Sequence, residues 1–217
     1  MHPYDADYLT RFTTRCIRAL GVASIWALQR LLTADLSWAS GCSGTECPAY
    51  VFAAITAAMA EVDADLSGSF VHCFSAEMDE AKLNFITQVH GLDHVIFADL
   101  FDVSRPRAQD TVSGRWLTLP DFLGLGILIV GFSCKGASTL NTAMLARTDV
   151  HNIIDEMVSS TGLTFWATLL AVDRLRPKAF LLENVMGLLR NGAAESVAVA
   201  LRAKGYVVAL LQLQPNN

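Results

Sequence analysis

The chain has 217 residues, 53% of them hydrophobic and 17% charged. That is apolar material for one large core, and too little charge for a disordered chain. The net charge of -5 excludes a uniformly basic nucleic-acid footprint, so a DNA partner requires a local basic patch or a basic segment elsewhere.

In chain order, residues 15–33 carry Val22, Ile25, Trp26, Leu28, Leu31 and Leu32 at helical spacing, which predicts an amphipathic lead-in helix. DLSWASGCSGTE reads as a short strand running into a small-residue turn. CPAYVFAAITAAMA reads as a helix with Pro48 in its first turn, where proline is tolerated. SFVHCFSAE is a strand ending in an acid, DEAKLNFITQVH a helix, and HVIFADLFDV a strand. Residues 104–120, with Arg105, Pro106, Arg107, Gly114 and Pro120, read as a loop or insertion. FLGLGILIVGF is a fully apolar strand, and the polar segment 135–150 is expected to be a mobile loop. TGLTFWATLLAVDRL predicts a helix, KAFLLEN a strand, and ESVAVALRAKGYVVALLQLQ a helix stopped near Gly205 followed by a last strand.

Apolar strands alternating with amphipathic helices predict an α/β fold: a Rossmann-like, mostly parallel sheet with helices on both faces. The division expected is a helical lead-in over 1–34 and one lobe over 35–217, with the chain stopping as a strand ends. The longest apolar runs fall short of the roughly 20 residues of a membrane span. Asp5 and Asp7 oppose a secretory leader. No membrane partner and an intracellular location are therefore expected.

The five cysteines are irregularly spaced, a poor disulfide framework. Cys42 and Cys47 lack a second close pair, and His90 and His94 share a helical face only if a helix runs through Gly91. No metal site is expected on that pattern.

In an open parallel sheet, ligands gather where strands end and strand order reverses. The candidate groups fall at such ends. Ser43, Gly44 and Thr45 lie in the turn after the first strand, where small residues let backbone N–H groups approach a ligand. Glu77 follows the second strand and Asp99 the third. An acid at the first of these places accepts ribose hydroxyls, and one at the second reaches an adenine ring; each is also an ordinary helix-start charge. Cys134 ends the apolar strand GILIV, where a thiolate faces a cleft, with Lys135 beside it to favour the charged form. Glu183 and Asn184 end another apolar strand. A buried carboxyl there can be held protonated and donate to a ring nitrogen.

GFSCKGAS followed by RPKAFLLENVMGL resembles motifs of the cytosine-5 methyltransferase family, and CSGTE, FSAEMDE and FADLFDV resemble that family's three cofactor segments. The likeness runs in order over roughly 35–217. It implies that Cys134 adds to C6 of a cytosine and that Glu183 hydrogen-bonds the ring, while Asn184 shapes the strand end. It further implies that Ser43, Gly44 and Thr45 cradle the methionine part of S-adenosylmethionine, with Glu77 on the ribose and Asp99 on the adenine. The partner implied is DNA with a flipped cytosine, and the location nuclear in a eukaryote. RNA remains possible through tRNA-directed relatives. A non-catalytic remnant kept for binding, and another Rossmann-like methyltransferase with an incidental cysteine, are the further readings. Ser133 stands where the family usually has proline, Lys135 where it has glutamine, and Glu46 and Cys47 where it has glycines. The family's Gln-Arg-Arg-type motif and target-recognition region do not occur in the sequence, so the lobe is expected to be incomplete and inactive alone.

Overall fold

The computed structural model describes residues 6–19, 36–63, 68–90, 94–135 and 159–213. Its centre is a five-stranded, all-parallel sheet of β1 (Leu36–Gly41), β2 (Phe70–Ala76), β3 (Ile96–Phe97), β6 (Ile127–Val130) and β7 (Ala179–Leu182). The strands lie in the order β3-β2-β1-β6-β7. Order reverses between β1 and β6, the place where open α/β sheets form a crevice.

Consecutive residues Trp38, Ala39 and Ser40 of β1 are all buried. Neighbours on a strand point to opposite faces, so both faces of the sheet are covered, as expected for a parallel sheet. On one face Trp38 meets Phe52 of α2 (Cys47–Val62), ring centroids 4.9 Å apart. On the other, Ala39 and Phe74 join a core with Phe165, Val172 and Leu175 of α4 (Ser160–Leu175). The same core takes in Val197 and Leu201 of α5 (Ala193–Arg202).

Helix α4 follows its sequence closely. Ser159 caps it, its hydroxyl accepting from the Gly162 N–H at 2.9 Å. It ends where Arg176 turns left-handed (φ 48) before Pro177, which cannot continue a helix. Helix α2 carries proline in its first turn, as expected. Helix α3 spans Glu80–His90.

Gly126 precedes β6 because only a hydrogen fits there: a Cβ would lie 2.5 Å from the Ser37 carbonyl oxygen. The Gly126 N–H also donates to the Ser37 hydroxyl at 2.9 Å.

Several elements differ from expectation. Helix α1 spans Ala6–Ala19, earlier than the predicted lead-in, and packs on α2 through Ile17, Ala58 and Met59. The rest of the predicted 15–33 helix, and all but Lys135 of the predicted 135–150 loop, lie outside the described residues. The third strand is only Ile96–Phe97, because Asp99 accepts from the Phe101 N–H and starts a 3-10 turn, Leu100–Ser104. Segment 104–120 is not a plain loop. It holds an antiparallel ribbon of β4 (Arg107–Gln109) and β5 (Trp116–Thr118). Asp110 pins it to the sheet, accepting from the Ile96 N–H at 3.0 Å and the Ser113 N–H at 3.1 Å. The apolar run before Cys134 is strand only from Ile127, since Leu119–Phe122 form a 3-10 turn and Gly124 is left-handed. The last predicted strand forms no ladder among the described residues. Tyr206 instead donates its hydroxyl to the Pro177 carbonyl at 2.7 Å, holding that segment at the start of β7.

No helix of the described residues is long and apolar enough to cross a membrane.

Candidate functional site

The groups singled out in the sequence lie at the carboxyl ends of the parallel strands. The turn after β1 folds back over β2. The Gly44 N–H donates to Glu77 Oε2 at 2.8 Å, and the Ser43 N–H donates to the Ala76 carbonyl at 3.2 Å. Gly44 is left-handed (φ 61), and a Cβ there would meet nothing within 4 Å. The turn therefore has open space on the side of Gly44. Thr45 is exposed on the same turn.

Glu77 is buried, and its Oε1 also accepts from the Met78 and Asp79 N–H groups, both at 3.0 Å. It braces the β1 turn against the start of α3 as well as standing at a strand end. Asp99 uses Oδ1 to cap the 3-10 turn. Cys42 reports how close these groups are. Burial pushes its thiol up to about 11, and the Glu77 and Asp99 carboxylates push the same way, against a smaller opposing pull from Lys82. The ends of β1, β2 and β3 thus bring the Cys42 thiol under the influence of two carboxylates.

That shift keeps Cys42 a thiol well into the alkaline range. At pH 8 we expect iodoacetamide to label it roughly 100-fold more slowly than the exposed Cys16 and Cys47, read by peptide mass spectrometry. The unfolded chain loses this proton from about 9.0 and the folded chain only near 11, so folding stability falls as pH rises across that window.

The second half of the site lies across the order reversal. Strands β6 and β7 end flush, Val130 opposite Leu182, and the Glu183 N–H donates to the Val130 carbonyl at 3.0 Å. Asn184 Nδ2 donates to the Phe132 carbonyl at 2.8 Å, tying the end of β7 to the segment that carries Cys134. Glu183 Oε2 lies 3.6 Å from where a Gly131 Cβ would stand. Cys134 is half-buried and stands apart from the aliphatic core. Glu183 is exposed, not buried as the sequence suggested. It caps the outermost strand of the sheet, with which no further strand pairs among the described residues.

Ser133, directly before Cys134, is bound to α4. Its N–H donates to Thr164 Oγ1 at 2.9 Å, and its hydroxyl reaches Ser160 Oγ at 3.3 Å. Proline has no N–H to give. These hydrogen bonds to α4 fix the segment ahead of Cys134.

Sequence reasoning passed over Glu46, treating it only as a missing glycine. It is fully buried in the β1–α2 turn, in a left-handed conformation (φ 57). Its Oε2 accepts from Ser40 Oγ at 2.8 Å and from Ser75 Oγ. The available signal was an acid placed among small residues directly after a buried strand.

The fold is that of an α/β protein with a Rossmann-like parallel sheet whose strand order reverses between β1 and β6. The chain matches no protein-family model, and no curated protein matches it.

Proposed function

We propose that this chain is the catalytic lobe of a DNA cytosine-5 methyltransferase, using S-adenosylmethionine as methyl donor. The observation that carries the reading is the Asn184–Phe132 hydrogen bond across the flush ends of β6 and β7. It holds the Glu183 strand end and the Cys134 segment at one edge of the cleft. The recess formed by the turn at Ser43, Gly44 and Thr45 with Glu77 and Asp99 lies on the other side of the order reversal.

The donor's fit rests on two features. Gly44 has open space beside it, and the Glu77 and Asp99 carboxylates make the recess electronegative, which suits an amine and a sulfonium cation. When bound, S-adenosylmethionine supplies the methyl group. The chain's own residues then act on the base. Cys134 Sγ adds as thiolate to C6 of a flipped cytosine, and Glu183, after taking up a proton as the base covers it, donates a hydrogen bond at N3, so that charge accumulates on the ring. C5 would then be nucleophilic enough to accept the donor's methyl group, with S-adenosylhomocysteine as the leaving group. Loss of the C5 proton to a base then expels the Cys134 thiolate and restores aromaticity. Asn184 and the Ser133–Thr164 bond hold the nucleophile segment in position.

The test is covalent trapping by the full gene product on a duplex carrying 5-fluorocytosine, with S-adenosylmethionine present. Fluorine at C5 cannot leave as a proton, so the adduct persists. The expected result is one adduct per chain, mapped by mass spectrometry to Cys134. Donor binding with no adduct would overturn the enzymatic reading in favour of a binding module. An adduct on tRNA alone would redirect it to RNA.

A further inference from the structure

On the α2 face of the sheet, beneath the β1–α2 turn, lies a polar cluster unrelated to the nucleophile. A carboxylate oxygen of Glu46 and one ring nitrogen each of His72 and His94 lie within 4.8 Å of one another. Ser75 sits among them. Its hydroxyl donates to Glu46 Oε2, and lies 2.6 Å from His94 Nε2 and 3.5 Å from His72 Nε2.

The local fold builds this cluster deliberately. A regular strand sends residues 72 and 75 to opposite faces. Here the β1–β2 register slips between Trp38 and Ala39, which pair with His72 and Phe74. The bulge leaves Cys73 without a partner and brings His72 and Ser75 to one face. His72 is held flat on Trp38, ring centroids 3.7 Å apart and planes 6° from parallel.

A second observation points to a ligand. Glu46 is fully buried, and its Oε1 has no hydrogen-bond partner. A buried carboxylate oxygen left bare is costly unless a proton or a cation satisfies it. A cavity of about 380 Å³, lined by Trp38, Phe52, Phe70, His72 and His94, opens at the two imidazoles. It gives an entry path and room for a water as a further ligand.

We propose that Glu46, His72 and His94 bind one divalent transition-metal ion, zinc fitting best, and that the metal ties the β1–α2 turn to β2 and to the segment before β3. Two imidazoles and one carboxylate with an open position suit zinc and its first-row neighbours, not calcium or magnesium. Ser75 then serves as the outer partner that orients Glu46. The sequence predicted no metal because its ligands come from three separate elements without a short-spacing motif. The site stands whether or not the chain transfers methyl groups.

The test titrates cobalt(II) into the EDTA-dialysed chain, followed by zinc competition, elemental analysis and thermal melting. We expect one cobalt per chain with the visible bands of a low-symmetry nitrogen–oxygen site, displaced by zinc, and a Tm several degrees higher with zinc. Glu46→Gln, which keeps shape and removes charge, and His94→Gln should each weaken binding by more than about 100-fold, beyond the effect of losing an outer partner. Both should lose the zinc-dependent rise in Tm while staying folded by circular dichroism. If His94→Gln does not fold, Glu46→Gln decides alone. Absence of saturable binding, equal binding by Glu46→Gln, or a sulfur-to-cobalt charge-transfer band would overturn the assignment. A neutral Glu46 acid would instead leave Glu46→Gln as stable as the parent with and without zinc.

Discussion

Cys134→Ser is expected to lower the rate of methyl transfer by roughly 10⁴-fold or more, the scale on which loss of a covalent nucleophile acts, with little change in Tm. Serine is close in size, and Cys134 is half-buried outside the core, so the substitution opens no cavity. A hydroxyl at neutral pH is a far weaker nucleophile than a thiolate. Single-turnover methyl transfer from labelled S-adenosylmethionine, run beside a thermal melt, reads both quantities. A rate within tenfold of the parent would show that the thiol takes no part in the chemistry. Glu183→Gln is the informative companion. An amide still donates a hydrogen bond but cannot protonate, so an intermediate loss would mark proton donation, not positioning, as the contribution of this residue.

The largest stability effect is expected at Phe74. Its side chain is fully buried in β2 and packs against Phe97 and Phe122, ring centroids 5.2 and 5.3 Å away. Phe74→Ala removes this ring from the junction of the sheet, the 3-10 turn before β6 and the base of β3. The expected cost is about 3–5 kcal/mol. At 2–4 °C per kcal/mol for a chain of this size, that is a fall in Tm of roughly 6–20 °C. Phe85→Ala, on the exposed side of α3, is the control and should change stability by no more than about 0.5 kcal/mol. Equal effects at both positions would mean that the aromatic cluster is not the core of the sheet.

The strands and helices that could be read from the sequence were those whose own residues settle them. Helix α4 has its serine cap, its apolar stripe and a proline just beyond its end. Strands β1, β6 and β7 are short apolar runs bounded by glycine, proline or a charge. What could not be read depends on contacts distant in the chain. The third strand stops after Phe97 because Asp99 caps a turn, and nothing within HVIFADLFDV distinguishes that acid from one in a strand. The β4–β5 ribbon exists because Asp110 gathers N–H groups from β3 and from its own turn. Segment 206–213 has strand-like composition, but a ladder needs a neighbour, which no single segment can specify.

The candidate site divides the same way. Cys134 and Glu183 announced themselves as polar residues at the ends of apolar strands, and their strands are adjacent in the sheet. The exposure of Glu183 was hidden, since it follows from β7 being outermost. Glu46, His72 and His94 were not legible as a group. Their meeting depends on the register slip at Cys73 and on the return of the chain to β3, neither of which leaves a spacing pattern.

Placing β1 at the middle of the sheet has a kinetic consequence. One of its neighbours, β2, follows after a single helix, but the other is distant: Ser37 and Gly126, bonded to each other, are 89 residues apart. Loops of that length close slowly, and parallel pairing rewards closure only once both strands are in place. On the ribosome, the first strand would wait with one flank bare until Gly126 and the strand after it had emerged. That interval is when chaperones would find it, and early release would expose a sticky half-sheet.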